Sequence, residues 1–277
     1  MHEAERDDTV RRIARDGDPD RTLAALFAPS EARADLLTLI AFNVELARIA
    51  GQVSEPELGT IRLQWWRDAL DKAARGETTG HPVADALGAL LSRRKLSRER
   101  LGAMIDARAF DVASKIMPDG GALETYLHDT AGALFALGAE VLGARGPSVE
   151  LAAAQGGLAY GLTGLMRALP VHAAQGRVDL PADALRRHGA ALEDVLAGRM
   201  SAGLLAVLAE LRQNARAALD EARQHVAALD LEARAAFLPL SLVEPYLAAL
   251  EKERDPLHTV TNINPLYRLW RLATGRA

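Results

Sequence analysis

The chain has 277 residues, 33 Lys and Arg against 37 Asp and Glu, and a formal net charge of −4. That mildly acidic balance argues against nucleic acid as the main partner, since phosphate binding wants a basic face. Hydrophobic residues make up 49% and charged residues 25%, which excludes wholesale disorder, and the absence of Cys excludes disulfides, thiolate zinc sites and cysteine nucleophiles.

Read along the chain, the signals are helical throughout. The opening, MHEAERDDTVRR, carries charges of both signs and no apolar stretch, so it is not a secretory signal. Asp18-Pro19 reads as a cap with proline in the first turn, opening a helix over 20–27. Ser30 opens a long segment to residue 50, ended by Gly51. Over 61–73 the apolar residues Ile61, Leu63, Trp65, Trp66, Ala69, Leu70 and Ala73 share one broad face, with Arg62 the exception within it. His81-Pro82 opens 83–91, and Ser97 precedes 101–116. Gly120-Gly121 leads into a long segment to Leu142, whose most apolar part, Gly132 to Gly143, is too short and contains Glu140, whereas a spanning helix takes about 20 mostly apolar residues. Pro147 starts a helix that Pro170 is expected to end at 168, and Pro181 starts a short one to His188. Helices over 201–228, 231–254 and 264–274 follow, the second kinked or split by Pro239 and Pro245. Ala and Leu dominate the apolar residues, strand-type alternation is missing, and no fixed-period repeat is found. The expectation is one all-α domain over 1–277, with 1–29 as an N-terminal extension and 255–277 holding a C-terminal helix.

Motifs that carry chemistry are few. The sequence has no Gly-rich phosphate loop, no Gly-x-Ser-x-Gly elbow and no His-Glu-x-x-His helix. His172 and His188 stand singly near loops, where a surface or capping role competes with a functional one. Mg²⁺ ligands must converge from facing helices, and the acidic pairs fit other roles. Glu55 and Glu57 suit a helix start, Asp7-Asp8 a solvated terminus, and Asp106 and Asp111 are spaced to fall on different faces. The two Asp-x-x-x-Asp matches, Asp16/Asp20 and Asp179/Asp183, each contain a proline, so neither pair shares a continuous helix.

Three stretches, taken in order and spacing, carry a resemblance. They are Ile40-Ala41-Phe42; residues 61–70 with Gly80-His81-Pro82-Val83; and 157–181, GLAYGLTGLMRALPVHAAQGRVDLP. Tyr126 with Ala131-Gly132, and Phe237-Leu238-Pro239 onward to Leu250, extend it. Over about residues 33–253 the chain resembles the squalene/phytoene synthase family. The resemblance implies an all-α isoprenoid-synthase-like helical bundle with a central cavity, and, in active members, head-to-head joining of prenyl diphosphates by Mg²⁺ held on two aspartate-rich motifs.

The departures fall where that chemistry would sit. Against the family's Tyr-Ala-Phe-Cys-Arg, the expected Tyr and Arg stand as Ile40 and Val44, and the following Asp positions as Ala47, Arg48 and Gly51, leaving Glu45 as the nearby acid. In the second motif the acids become Ala168, Val171 and His172, while Arg167, Gly176, Arg177, Leu180 and Pro181 stay in register. Leu165-Met166-Arg167-Ala168-Leu169-Pro170 with Leu180-Pro181-Ala182-Asp183 is most similar to the branch that lacks these aspartates and includes the mitochondrial assembly factor for respiratory complex I. The resemblance thus implies a loss of catalysis, with no catalytic residue and no metal. The ligand-binding candidates are Glu45, Tyr126, Arg167 and Arg177. The expected role is support of respiratory-complex assembly by binding a partner protein, an isoprenoid or lipid, or both. The alternative is a divergent prenyltransferase in isoprenoid biosynthesis, and Mg²⁺ enters only there. Nucleic acid is not an expected partner. The location expected by default is the cytoplasm, with peripheral contact at the inner membrane open.

Three further features admit two readings each. Gly157, Gly161 and Gly164 serve close helix packing or widen a ligand groove. Trp65 and Trp66 with Arg62 and Arg67 form a docking surface, or one Trp is core and the other covers a helix edge. The basic, aromatic Tyr267-Arg268-Leu269-Trp270-Arg271-Leu272 lies on a membrane or partner, or docks on its own domain.

Overall fold

The computed structural model describes residues 3–113 and 116–275. The first helix is one that the mixed charges of the N-terminus hid. α1 (Glu3–Gly17) buries Val10 and Ala14 against α3 (Ser30–Arg48) and α5 (Pro82–Arg93), so it is part of the bundle. Its end comes so close to α3 that a Cβ on Gly17 would lie 2.3 Å from Val44. α2 (Pro19–Ala25) is capped by Asp18, whose carboxylate accepts from the Arg21 amide at 3.0 Å. α4 (Pro56–Ala74) and α6 (Arg98–Ala113) pair beside α5, with the Ser97 hydroxyl accepting from the Arg100 amide at 3.2 Å. The helix expected to reach residue 116 ends earlier: Ile116–Met117 form β1, and 114–115 lie outside the described residues.

The segment after Gly120 is α7 (Gly120–Leu127), a π-helical turn over His128–Gly132, and α8 (Ala133–Val141). α9 (Pro147–Ala174) is the central helix. It runs through Pro170, contrary to the sequence expectation. Proline removes one intrahelical bond, but Leu169, Pro170 and Ala173 are buried, and that packing holds the last turn. β2 (Val178–Pro181) pairs in parallel with β1, a small sheet the sequence did not signal. α10 (Ala182–Arg187) and α11 (Leu192–Leu196) lead to α12 (Ala202–Ala227), which packs along α9 and starts at a Ser201 cap. The prolines split the next stretch as expected, into α13 (Leu231–Arg234), a 3₁₀ run around Pro239, and α14 (Val243–Lys252). The stretch Leu231–Lys252 is apolar and long enough to cross a bilayer by composition, and most of its apolar part is buried inside the bundle. α15 (Pro265–Thr274) closes the chain, capped by Asn264.

Two large apolar clusters form the interior. One joins α1, α3, α4, α5, α6 and α8, with Phe42 edge-on to Trp66 at 5.3 Å. The other joins α9, α12 and α14, with Phe135 stacked on Phe237 at 5.6 Å. Trp66 is core and Trp65 covers the helix edge at 39% exposure, as one of the two readings expected. A cavity opens beside the second cluster, with Leu127 and Leu165 of that cluster in its lining.

Candidate functional site

The cavity holds about 210 Å³ and is walled by α2, α3, α6, α7, the π-helical turn, α9 and β2. On α9 the residues Gly161, Gly164, Leu165, Ala168 and His172 face it, as spacings of three and four dictate. The glycines divide their roles. A Cβ on Gly157 would meet the Gly132 backbone at 2.4 Å and one on Gly161 would meet Leu127 at 2.5 Å, so both serve packing. A Cβ on Gly164 would meet nothing within 4 Å, so this position widens the cavity.

One hydrogen-bonded network crosses the cavity wall. Arg108 donates to Asn43 Oδ1 at 3.2 Å, to Asp111 Oδ2 at 2.9 Å and to the Tyr126 hydroxyl at 2.6 Å. The Tyr126 hydroxyl donates in turn to Asp111 at 3.0 Å. Arg177 reaches Asp111 and Asp179, both at 3.2 Å, and His172 Nδ1 lies 2.5 Å from Asp179 Oδ2. Burial pushes the Tyr126 phenol far above its ordinary range, so it stays neutral. Burial also works to raise the Asp179 carboxyl, but the His172 hydrogen bond and the Arg177 charge outweigh it and bring Asp179 below its ordinary value.

Of the sequence candidates, Tyr126 and Arg177 meet in this network, and Ala168 and His172 from the altered motif face the same cavity. Arg167 does not join them. It donates to the Thr261 carbonyl at 3.2 Å and to Asn262, pairs with Asp20 at 3.5 Å, and lies 3.6 Å over the Tyr246 ring. Asp20 also accepts from Tyr246 at 2.8 Å and pairs with Arg268 of α15 at 3.1 Å. Burial is the main reason the Tyr246 phenol is pushed up to about 12.

Glu45 points elsewhere again. It lies two residues from Asn43, about 200° round α3. Its neighbours are His81, with Oε2 and Nε2 3.9 Å apart, and a pocket of about 300 Å³ shared with Gln52, Arg62, Trp65 and Trp66. Burial lowers the His81 pKa, against the pull of Glu45 and Asp85. Ala47, Gly51 and Val171 are exposed and Arg48 is half-buried.

Sequence reasoning missed Arg21, Arg108 and Asp179 as cavity-lining groups, and Asp111 as the acceptor that joins Arg108, Tyr126 and Arg177. Arg108 with Asp111 and Asp18 with Arg21 were available as i,i+3 ion-pair spacings. Asp179 lies within the matching stretch around Arg177, but its partner His172 is fixed only by the turn between α9 and β2.

The donor set does not fit Mg²⁺, which wants several free carboxylate oxygens. Asp111 and Asp179 are both bonded to guanidinium groups, and the aligned positions of the two motifs supply Ala47, Gly51, Ala168 and His172. Among the described residues, no group of three or more His, Asp and Glu stands close enough to share an ion.

Comparison with known proteins places these positions in context. Residues 14–271 match the squalene/phytoene synthase family. The rat NADH dehydrogenase (ubiquinone) complex I assembly factor 6 is 32% identical over 240 residues, covering 87% of this chain and 72% of the relative. A phytoene synthase of Thermus thermophilus is 29% identical over 199 residues, covering 70% and 66%. The crystal structure of squalene synthase HpnC from Alicyclobacillus acidocaldarius superimposes with a TM-score of 0.79 at 22% identity, covering 90% of this chain and 94% of that one. It shows the shared isoprenoid-synthase fold.

Proposed function

The chain belongs to the squalene/phytoene synthase family, and from that premise we propose that it is a non-catalytic member supporting respiratory-complex assembly through a partner protein and a ligand held in the cavity. The observation that carries the non-catalytic part is the internal neutralisation of the cavity wall. Arg108 and Arg177 are bonded to Asp111 and Asp179, so the acids are engaged with guanidinium groups. A departing diphosphate develops charge that metal ions normally offset, and this wall offers no set of free carboxylates to hold them. The assembly part draws on the relatives named complex I assembly factor 6. We further propose a cytoplasmic protein that touches the inner membrane through α15. That helix exposes Leu266, Tyr267, Leu269 and Trp270 while Arg268 turns inward to Asp20 and Arg271 to the Ser241 carbonyl.

A strain lacking the chain tests the role. Reduced assembled complex I on native gels, restored by the wild-type copy, is the expected result, and unchanged complex I contradicts it. A divergent prenyltransferase is the second reading, favoured by the phytoene synthase relative and by Tyr126 facing the cavity. It requires release of pyrophosphate from a prenyl diphosphate.

A further inference from the structure

We propose that the cavity binds, without metal, a compact ligand bearing one oxyanion head, a carboxylate or a phosphate monoester, on a short apolar body, with Arg21 as its anchor. The proposal rests on the non-catalytic reading of the cavity and names what the cavity would hold. Arg21 is 9% exposed on α2 and lines the cavity. Its Nη1 is given to Asp18 at 2.9 Å, but Nε and Nη2 are buried without any hydrogen-bond partner. Unpaired guanidinium donors inside a protein are costly, and an oxyanion matches their fork geometry. The guanidinium is steadied by the Tyr160 ring, 4.1 Å away, and by Phe135 at 5.2 Å. Burial works against its charge, and the Asp18 and Asp20 carboxylates favour it.

The remaining wall agrees with an anion on a short body. Asp179 is the one carboxylate lining this cavity among the described residues, and its oxygens are engaged by Arg177 and His172. Leu127, Ala131, Leu165 and Ala168 supply apolar surface, and Thr130 and Asn43 supply further polar contacts. Arg21 also sets the length. It lies between the cavity of about 210 Å³ and a smaller apolar pocket of about 40 Å³ lined by Leu36, Ile40, Leu134 and Phe135. The Arg21 side chain therefore separates the two spaces. At about 30 Å³ per water-sized group, the open part takes roughly seven such groups.

Calorimetric titration of the full chain in EDTA, repeated with Mg²⁺, tests this with three probes: hexanoate, a five-carbon isoprenoid monophosphate and inorganic phosphate. At least one organic probe should bind equally well in both buffers and about tenfold more tightly than inorganic phosphate, and the tighter of the two organic probes identifies the head group. Arg21→Gln should weaken that binding about tenfold or more, and Arg21→Lys should weaken it less. Gly164→Leu, which puts a side chain into the open space of the cavity, should abolish binding with no loss of Tm. The proposal is overturned by silence of all three probes, by binding that needs Mg²⁺, by inorganic phosphate binding as well as the organic probes, or by affinity unchanged in Arg21→Gln or in a folded Gly164→Leu. Silence of the probes without pyrophosphate release from prenyl diphosphates removes this inference alone. Such release removes the non-catalytic reading beneath it.

Discussion

Two buried ionic clusters are built partly from α9, and they do different things. The cluster around Asp111 joins Arg108, Tyr126, Arg177, Asp179 and His172 along the wall of a cavity. The cluster around Asp20 joins Arg167, Tyr246 and Arg268 and clasps the C-terminal helix to the bundle. Both use a carboxylate under 10% exposed as the hub for two arginines and a tyrosine. The difference lies in what they enclose: one borders space that a ligand can fill, and the other borders chain. Arginines five and fifteen residues along from Leu162 thus have separate fates, although both keep their place in the family pattern.

Removing each hub gives the largest effects and tests whether the clusters are independent. Asp111→Ala leaves Arg108 and Arg177 short of their shared acceptor, and it should lower unfolding stability by about 3–5 kcal/mol in denaturant titrations. Asp20→Ala should cost roughly 2–3 kcal/mol, because Arg167 keeps Thr261 and Asn262 as acceptors. Hydrogen exchange separates the two. Amides of α15 should lose protection in Asp20→Ala and keep it in Asp111→Ala, and the double variant should be additive within about 0.5 kcal/mol. Loss of α15 protection in both variants would merge the clusters into one unit.

Glycine substitutions on α9 sharpen the contrast between packed and open faces at smaller cost. Gly157→Ala drives a methyl into the Gly132 backbone and should destabilise by about 1–3 kcal/mol. Gly164→Ala meets open space in a helix interior and should stabilise by about 0.5–1 kcal/mol. Thermal melts of the two variants should therefore move in opposite directions.

The smallest effect concerns the pocket that took Glu45. His81 caps α5 by accepting from the Ala84 amide, which requires neutral Nδ1. Its folded pKa lies below the ordinary value of 6.5. Between the folded pKa and about pH 6.5 the unfolded chain therefore binds more protons, and stability falls as the pH drops through that window. His81→Asn keeps a cap and should flatten that part of the stability profile. The Asp179 carboxyl, held below its ordinary value of 3.8, contributes stability that is present above that value and lost as the pH falls further.

These contrasts explain what the sequence could and could not reveal. Helix starts at Asp18, His81, Ser97 and Ser201 were legible because capping is local chemistry. α1 was missed because its apolar residues are sparse and charges dominate it, and Pro170 misled because tertiary burial overrides a local cost. At the site, α9 positions were legible through their spacing, whereas Asp111 finds Arg177 66 residues away. Asp106 and Asp111 do fall on different faces, as their spacing implied, but the reason Asp111 matters is long-range. Glu45 is the surviving acid near the first motif, yet helical rotation turns it from the cavity toward Trp65 and His81.

The central question is whether a wall whose acids are tied to arginine can still ionise a prenyl diphosphate. Purified chain incubated with farnesyl or geranylgeranyl diphosphate and Mg²⁺, with pyrophosphate followed over time, measures this directly. No release above the rate without protein is expected, and sustained turnover with either substrate would show that the wall still ionises prenyl diphosphates.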